Sequence, residues 1–78
     1  MSKPKPITAD TAADLVRQCR IAAGHATIYA ACKHTGLATS TLDRIEHDVQ
    51  SPTVHLLQSI LEKFGFRLVI EARKDGEQ

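Results

Sequence analysis

Residues 66–71 alternate in a way that nothing else in the chain does. Phe66, Leu68 and Ile70 fall on one parity and Arg67, Val69 and Glu71 on the other. A period of two is the signature of a β-strand, so this run reads as a single strand. No second convincing strand is present to pair with it. A lone strand leaves its N–H and C=O groups without partners. The simplest solution is the same strand from a second copy, forming a two-stranded antiparallel ribbon about a twofold axis. The alternatives are that these residues continue the preceding helix or lie as extended coil.

The rest of the chain has helical spacing. Thr8 or Asp10 caps a first helix whose apolar stripe is Ala12, Leu15, Val16, Cys19 and Ala23, and Gly24 ends it. Thr27 caps a second helix carrying Ile28, Ala31, Cys32 and Thr35, closed by Gly36, with Leu37 pointing inward after it. A third helix runs from about Ala38 to His47, with Leu42 and Ile45 inward and Thr39, Ser40, Asp43 and Arg44 outward. A loop covers 47–52. Thr53 caps a fourth helix bearing Val54, Leu57, Ile60, Leu61 and Phe64, and Gly65 stops it. The expected organisation is an arm without regular structure over 1–9, a mainly α, compact four-helix domain over 10–65, a dimerisation strand over 66–72 and a flexible tail over 73–78. Phe66, Leu68, Val69 and Ile70 are the expected dimerisation residues.

Composition narrows the function. The chain has 78 residues and a net charge of +1, with ten Lys or Arg against nine Asp or Glu. A large catalytic cleft is improbable at this size. The charge balance excludes a strongly basic nucleic-acid glue. Aromatic residues are only 4% and Trp is absent, so a base-stacking platform is also disfavoured. Two cysteines are too few for a disulfide scaffold. The opening MSKPKPITAD lacks the apolar region of a secretory signal, and no apolar run approaches the roughly 20 residues of a membrane span. The expectation is a soluble, reduced, cytoplasmic protein, associated with the nucleoid if it binds DNA.

Two short helices joined by a glycine-containing turn, the second polar on its outer face, suggest a helix-turn-helix. The run GLATSTLDRIEHDVQSPTVHLL, residues 36–57, resembles the Xre or phage-repressor family of helix-turn-helix proteins. Gly36, Leu37, Ser40, Thr41, Leu42, Arg44, Ile45, Glu46 and Pro52 fit that family's pattern position by position. Upstream, Arg17, Arg20 and Gly24 resemble the end of the family's first helix. The segment TVHLLQSILEKFGFRLVIEARKD, residues 53–75, resembles the HipB type of antitoxin-repressor, in which the fourth helix leads into a dimerising strand. The resemblance implies a lambda-repressor-like domain that binds double-stranded DNA as a homodimer, with a cognate toxin as a further partner. It also implies that Arg20 and Glu46 form an ion pair inside the domain. Three departures stand out. Ile28 takes the place of the family's usual phosphate-approaching Gln. Thr35 replaces a core Leu. His47 and Asp48 replace the basic residue common after the Glu.

The chemistry of the third helix suits base reading. Bases display distinct donor and acceptor patterns in the major groove, which admits a helix. Thr39 and Ser40 offer hydroxyls at the helix start, and Arg44 can bridge guanine O6 and N7. Asp43 can accept from cytosine N4, repel a phosphate, or hold Arg44 in position. Phosphate contacts are expected from Thr27 at the start of the second helix, from Lys33, His47 and Gln50, and from Lys3 and Lys5 in the arm. Each of these also reads as a solubilising surface residue. Divided by segment, residues 1–26 carry +2, residues 27–55 carry −1 and residues 56–78 carry 0. The reading unit is therefore not basic, and useful affinity depends on a dimer and a matched site.

Other chemistries find less support. His25, His34, His47 and His55 are not at metal-ligand spacing with one another or with the two cysteines, so no metal or other cofactor is expected. Cys19 and Cys32 read as small core residues. No nucleophile elbow, phosphate loop or paired carboxylates point to an enzyme or a small-molecule substrate. Two other readings remain alongside the antitoxin. One is a phage or mobile-element regulator without a toxin. The other is a protein-interaction module that kept the fold and lost DNA binding.

Overall fold

The computed structural model describes residues 6–72 and 74. Its described residues form four helices: α1 (Ala12–Ala22), α2 (Ile28–Thr35), α3 (Thr39–Glu46) and α4 (Val54–Lys63). The arm expected over 1–9 and the tail over 73–78 lie largely outside the described residues.

Local chemistry sets the helix ends. The N-cap of α1 is Thr11, not Thr8 or Asp10: its hydroxyl accepts from the Asp14 N–H at 3.1 Å. Ala13, Val16, Cys19 and Arg20 form the buried face of α1, so Ala13 rather than Ala12 joins the core. The Thr27 and Thr53 hydroxyls accept from Ala30 N–H and Leu56 N–H, both at 3.1 Å, and begin α2 and α4 as expected. Ala38 and His47 flank α3 as caps rather than lying inside it.

The joint between α2 and α3 is the three-residue turn Gly36–Leu37–Ala38. Gly36 takes φ +79°, a conformation that side chains disfavour, and its N–H donates to the Cys32 carbonyl at 2.8 Å. The end of α3 makes the same kind of closure without a glycine. Asp48 holds φ +59°, its N–H meets the Ile45 carbonyl, and the Val49 N–H meets the Arg44 carbonyl at 2.8 Å. Asp is among the few side-chain-bearing residues that tolerate this region.

The helices enclose one small core. Val16, Cys19, Leu42, Ile45, Ile60 and Leu61 are fully buried, with Ala31, Cys32 and Phe64 beside them. Both cysteines are core residues, and burial pushes the Cys19 thiol up from its ordinary range. α3 packs on α1 and α2, and α4 packs on α1. Thr35 turns its hydroxyl back to the Ala31 carbonyl at 2.7 Å.

The C-terminal expectation needs correction. The single chain has no strand over 66–72; that segment is coil. Its backbone lacks a neighbouring strand among the described residues, so no ladder forms. The alternation is not expressed as two faces either. Phe66 and Leu68 pack against the chain's own core, whereas Val69 and Ile70 are both exposed, at 78% and 65%. No described helix is long and apolar enough to cross a membrane.

The left-handed residue at the end of α3 gives a direct test. Asp48→Gly is expected to stabilise the fold by about 0.5–1 kcal/mol, and Asp48→Val to destabilise it by about 1–2 kcal/mol. Urea unfolding midpoints measure both.

Candidate nucleic-acid interface

The candidate surface is the outer face of α3. Leu42, Ile45 and Glu46 point into the domain, so the 3.6-residue period turns Thr39, Ser40, Asp43 and Arg44 to solvent. All four are exposed on the helix that follows the Gly36 turn. The Arg44 guanidinium makes no ion pair among the described residues.

A clamp behind α3 fixes this face. Arg20 Nε lies 2.7 Å from Glu46 Oε2, and Arg20 Nη2 lies 3.1 Å from Glu46 Oε1, a two-pronged pair with both side chains over nine-tenths buried. The remaining Arg20 donor, Nη1, reaches the His25 carbonyl at 2.8 Å. Arg17 adds a second hold: its Nη2 donates to the Glu46 carbonyl at 2.9 Å, and its Nε stands 3.9 Å from Glu46 Oε1. One glutamate at the last turn of α3 is thus gripped by two arginines one helical turn apart on α1. No buried side-chain polar atom of the described residues lacks a partner.

The expected phosphate contacts are placed unevenly. Thr27 is exposed, but its hydroxyl oxygen already caps α2. Helical geometry leaves the Ile28 and Tyr29 N–H groups without partners inside α2, so the anchoring potential at this end belongs to the backbone. Lys33 is exposed with its Nζ 5.7 Å from the Tyr29 ring centroid. Gln50 is half-buried, and its own N–H meets the Arg44 carbonyl at 3.2 Å. Lys3 and Lys5 lie outside the described residues.

Asp43 has a partner that sequence reasoning did not assign. It pairs with His47, not with Arg44: His47 Nδ1 is 3.2 Å from Asp43 Oδ1 and 2.8 Å from the Asp43 carbonyl. The four-residue spacing was the available signal. Two further residues were also missed. Tyr29, 67% exposed on α2, sits four residues before Lys33. Arg17 lies three before Arg20, close enough to share its face.

His25 and His34 stack with ring centroids 5.2 Å apart, and His25 also meets Phe64. Among the described residues no group of three or more His, Cys, Asp or Glu is arranged to hold a metal ion. No family model, curated protein or solved structure matches the chain.

The clamp predicts a large, asymmetric energetic response. Arg20→Met or Glu46→Leu alone leaves a buried charge unpaired and is expected to cost about 3–5 kcal/mol, enough to unfold a marginal domain. The double replacement Arg20→Met with Glu46→Leu is expected to cost far less than the sum of the single changes. Denaturant unfolding of the four proteins gives the coupling.

Proposed function

We propose that the chain is a sequence-specific DNA-binding repressor of the Xre helix-turn-helix type, acting as a homodimer on a palindromic or near-palindromic operator. The observation that carries this reading is the exposed polar face of α3, Thr39, Ser40, Asp43 and Arg44, presented after a three-residue turn and held from behind by Arg20 and Glu46. In this reading α3 enters the major groove and the N-terminal end of α2 lies against a phosphate. The two half-sites are about one helical turn, roughly 34 Å, apart.

The dimer in this reading is built on the C-terminal segment. Val69 and Ile70 are exposed, and Val69 lines a groove of about 710 Å³ together with Ile7, Leu15, Asp10, Asp14 and Glu71. In this reading a second copy's 66–72 segment lies antiparallel to the first and covers these two side chains. The antitoxin role, in which the same dimer also neutralises a toxin, extends this reading; a toxin that copurifies with the protein tests it.

DNA binding is tested by anisotropy with selected and random duplexes. Wild-type affinity is expected to fall steeply as salt rises. Arg44→Ala is expected to lose about 1–3 kcal/mol of discrimination at one base pair. Unchanged base preference removes Arg44 from the reading set. No binding even at low salt favours an interaction module instead.

The dimer has its own test. Ile70→Lys is expected to shift the protein to monomer in sedimentation and to weaken operator binding while the helical signal persists. A wild-type monomer at high concentration overturns the ribbon.

A further inference from the structure

His47 is held at the C-terminal end of α3 in one orientation. Its Nδ1 faces two oxygens of Asp43, the carbonyl at 2.8 Å and Oδ1 at 3.2 Å. Both are acceptors, so Nδ1 carries a hydrogen in the neutral ring as well as in the charged one. The side chain is 65% exposed, which leaves Nε2 as the atom free to meet a ligand. The role of Nε2 then depends on protonation: it accepts in the neutral ring and donates in the charged ring. A phosphate oxygen offers only lone pairs. Neutral His47 therefore meets it acceptor to acceptor, whereas protonated His47 meets it with a charge-assisted hydrogen bond.

On α3 itself the exposed Arg44 lies three residues before His47, and further charged groups come from the elements packed against that helix. α1 and α2 pack on α3. From α1, Arg17 and Arg20 both engage Glu46, the residue before His47. From α2, Lys33 lies over the Tyr29 ring and His34 is stacked on His25. Asp48 follows His47 in the chain, and residues 49–53 bring no ionisable side chain. Asp43 is the one ion-pair partner of His47 among the described residues.

We propose that this chain binds duplex DNA with uptake of a proton at His47 Nε2, which then donates to a backbone phosphate, with Asp43 as the positioning residue. The proposal rests on the DNA reading above and adds its regulation by pH. Protonation does two things at once. It supplies the donor that the phosphate needs, and it balances the Asp43 carboxylate that the phosphate would otherwise repel. In this arrangement Asp43 aims an imidazole rather than reading a base.

The test is anisotropy with a labelled random-sequence duplex of about 30 base pairs at low salt, across the range in which an imidazole changes charge, roughly pH 8 to pH 6. Affinity is expected to rise about tenfold over that range, because the bound state holds one more proton. His47→Gln is expected to flatten the profile, and Asp43→Asn to weaken the dependence; His34→Gln and His55→Gln are expected to leave it intact. Circular dichroism at each pH reports the fold separately. An NMR titration of the His47 imidazole is expected to show its midpoint moving up when the duplex is added. Absence of binding at every pH, to this duplex and to duplexes selected from a random library alike, overturns the DNA reading itself. Binding that is independent of pH, or a pH dependence that survives His47→Gln, overturns only the assignment to His47. A midpoint unmoved by DNA does the same.

Discussion

The buried pair of Arg20 and Glu46 is the contact on which the arrangement of this domain depends. Its core is small, and α3 is only eight residues long, too short to be helical by itself in water. Two side chains, Leu42 and Ile45, seat it in the core, but apolar packing sets orientation loosely. The Arg–Glu fork has fixed geometry, and Arg17 holds the carbonyl at the same helix end. Burying a charge pair brings little net stability, because desolvation offsets attraction. Its contribution lies in excluding other arrangements of α3, since any that separate the partners leave a charge buried alone.

That trade explains how a nearly neutral chain presents a polar face without losing its fold. The residues turned outward on α3 are short or singly charged, and the charges that matter for architecture sit behind the helix. Arg20 also bonds the His25 carbonyl, so one side chain links the end of α1, the following turn and the last turn of α3. The backbone then does work that side chains do elsewhere. The first turn of α2 offers free N–H groups where Ile28 provides no polar contact, and Asp48 completes a turn usually assigned to glycine.

Much of the fold was legible where the signal is local. Thr27 and Thr53 as caps, and Gly36 and Gly65 as stops, depend on chemistry within four residues. The inward direction of Leu42 and Ile45 follows from periodicity alone. The start of α1 was misjudged because Thr8, Asp10 and Thr11 can all cap; which one does is decided by whether Ala13 and Val16 reach the core, a tertiary matter. The 66–71 alternation was real as a pattern, but Phe66 and Leu68 find apolar surface at home, and a ladder needs a partner that the sequence of one chain does not contain. The site showed the same division. The outward set on α3 could be read from its period, whereas the partner of Asp43 turned on a choice between Arg44 and His47 that only geometry makes.

The coil over 66–72 has a consequence for how long such a molecule survives. It is anchored mainly by the Phe66 and Leu68 side chains and by the Phe66 N–H on the Leu61 carbonyl, and it carries the exposed Arg67 between them. Detaching it disrupts far fewer contacts than opening the helices, so its local opening free energy lies well below that of the domain. Arg67 gives a protease specific for basic residues an exposed point of attack in this stretch. Anything that covers Val69 and Ile70 raises the cost of that opening. Cleavage after Arg67 therefore slows when this segment is covered.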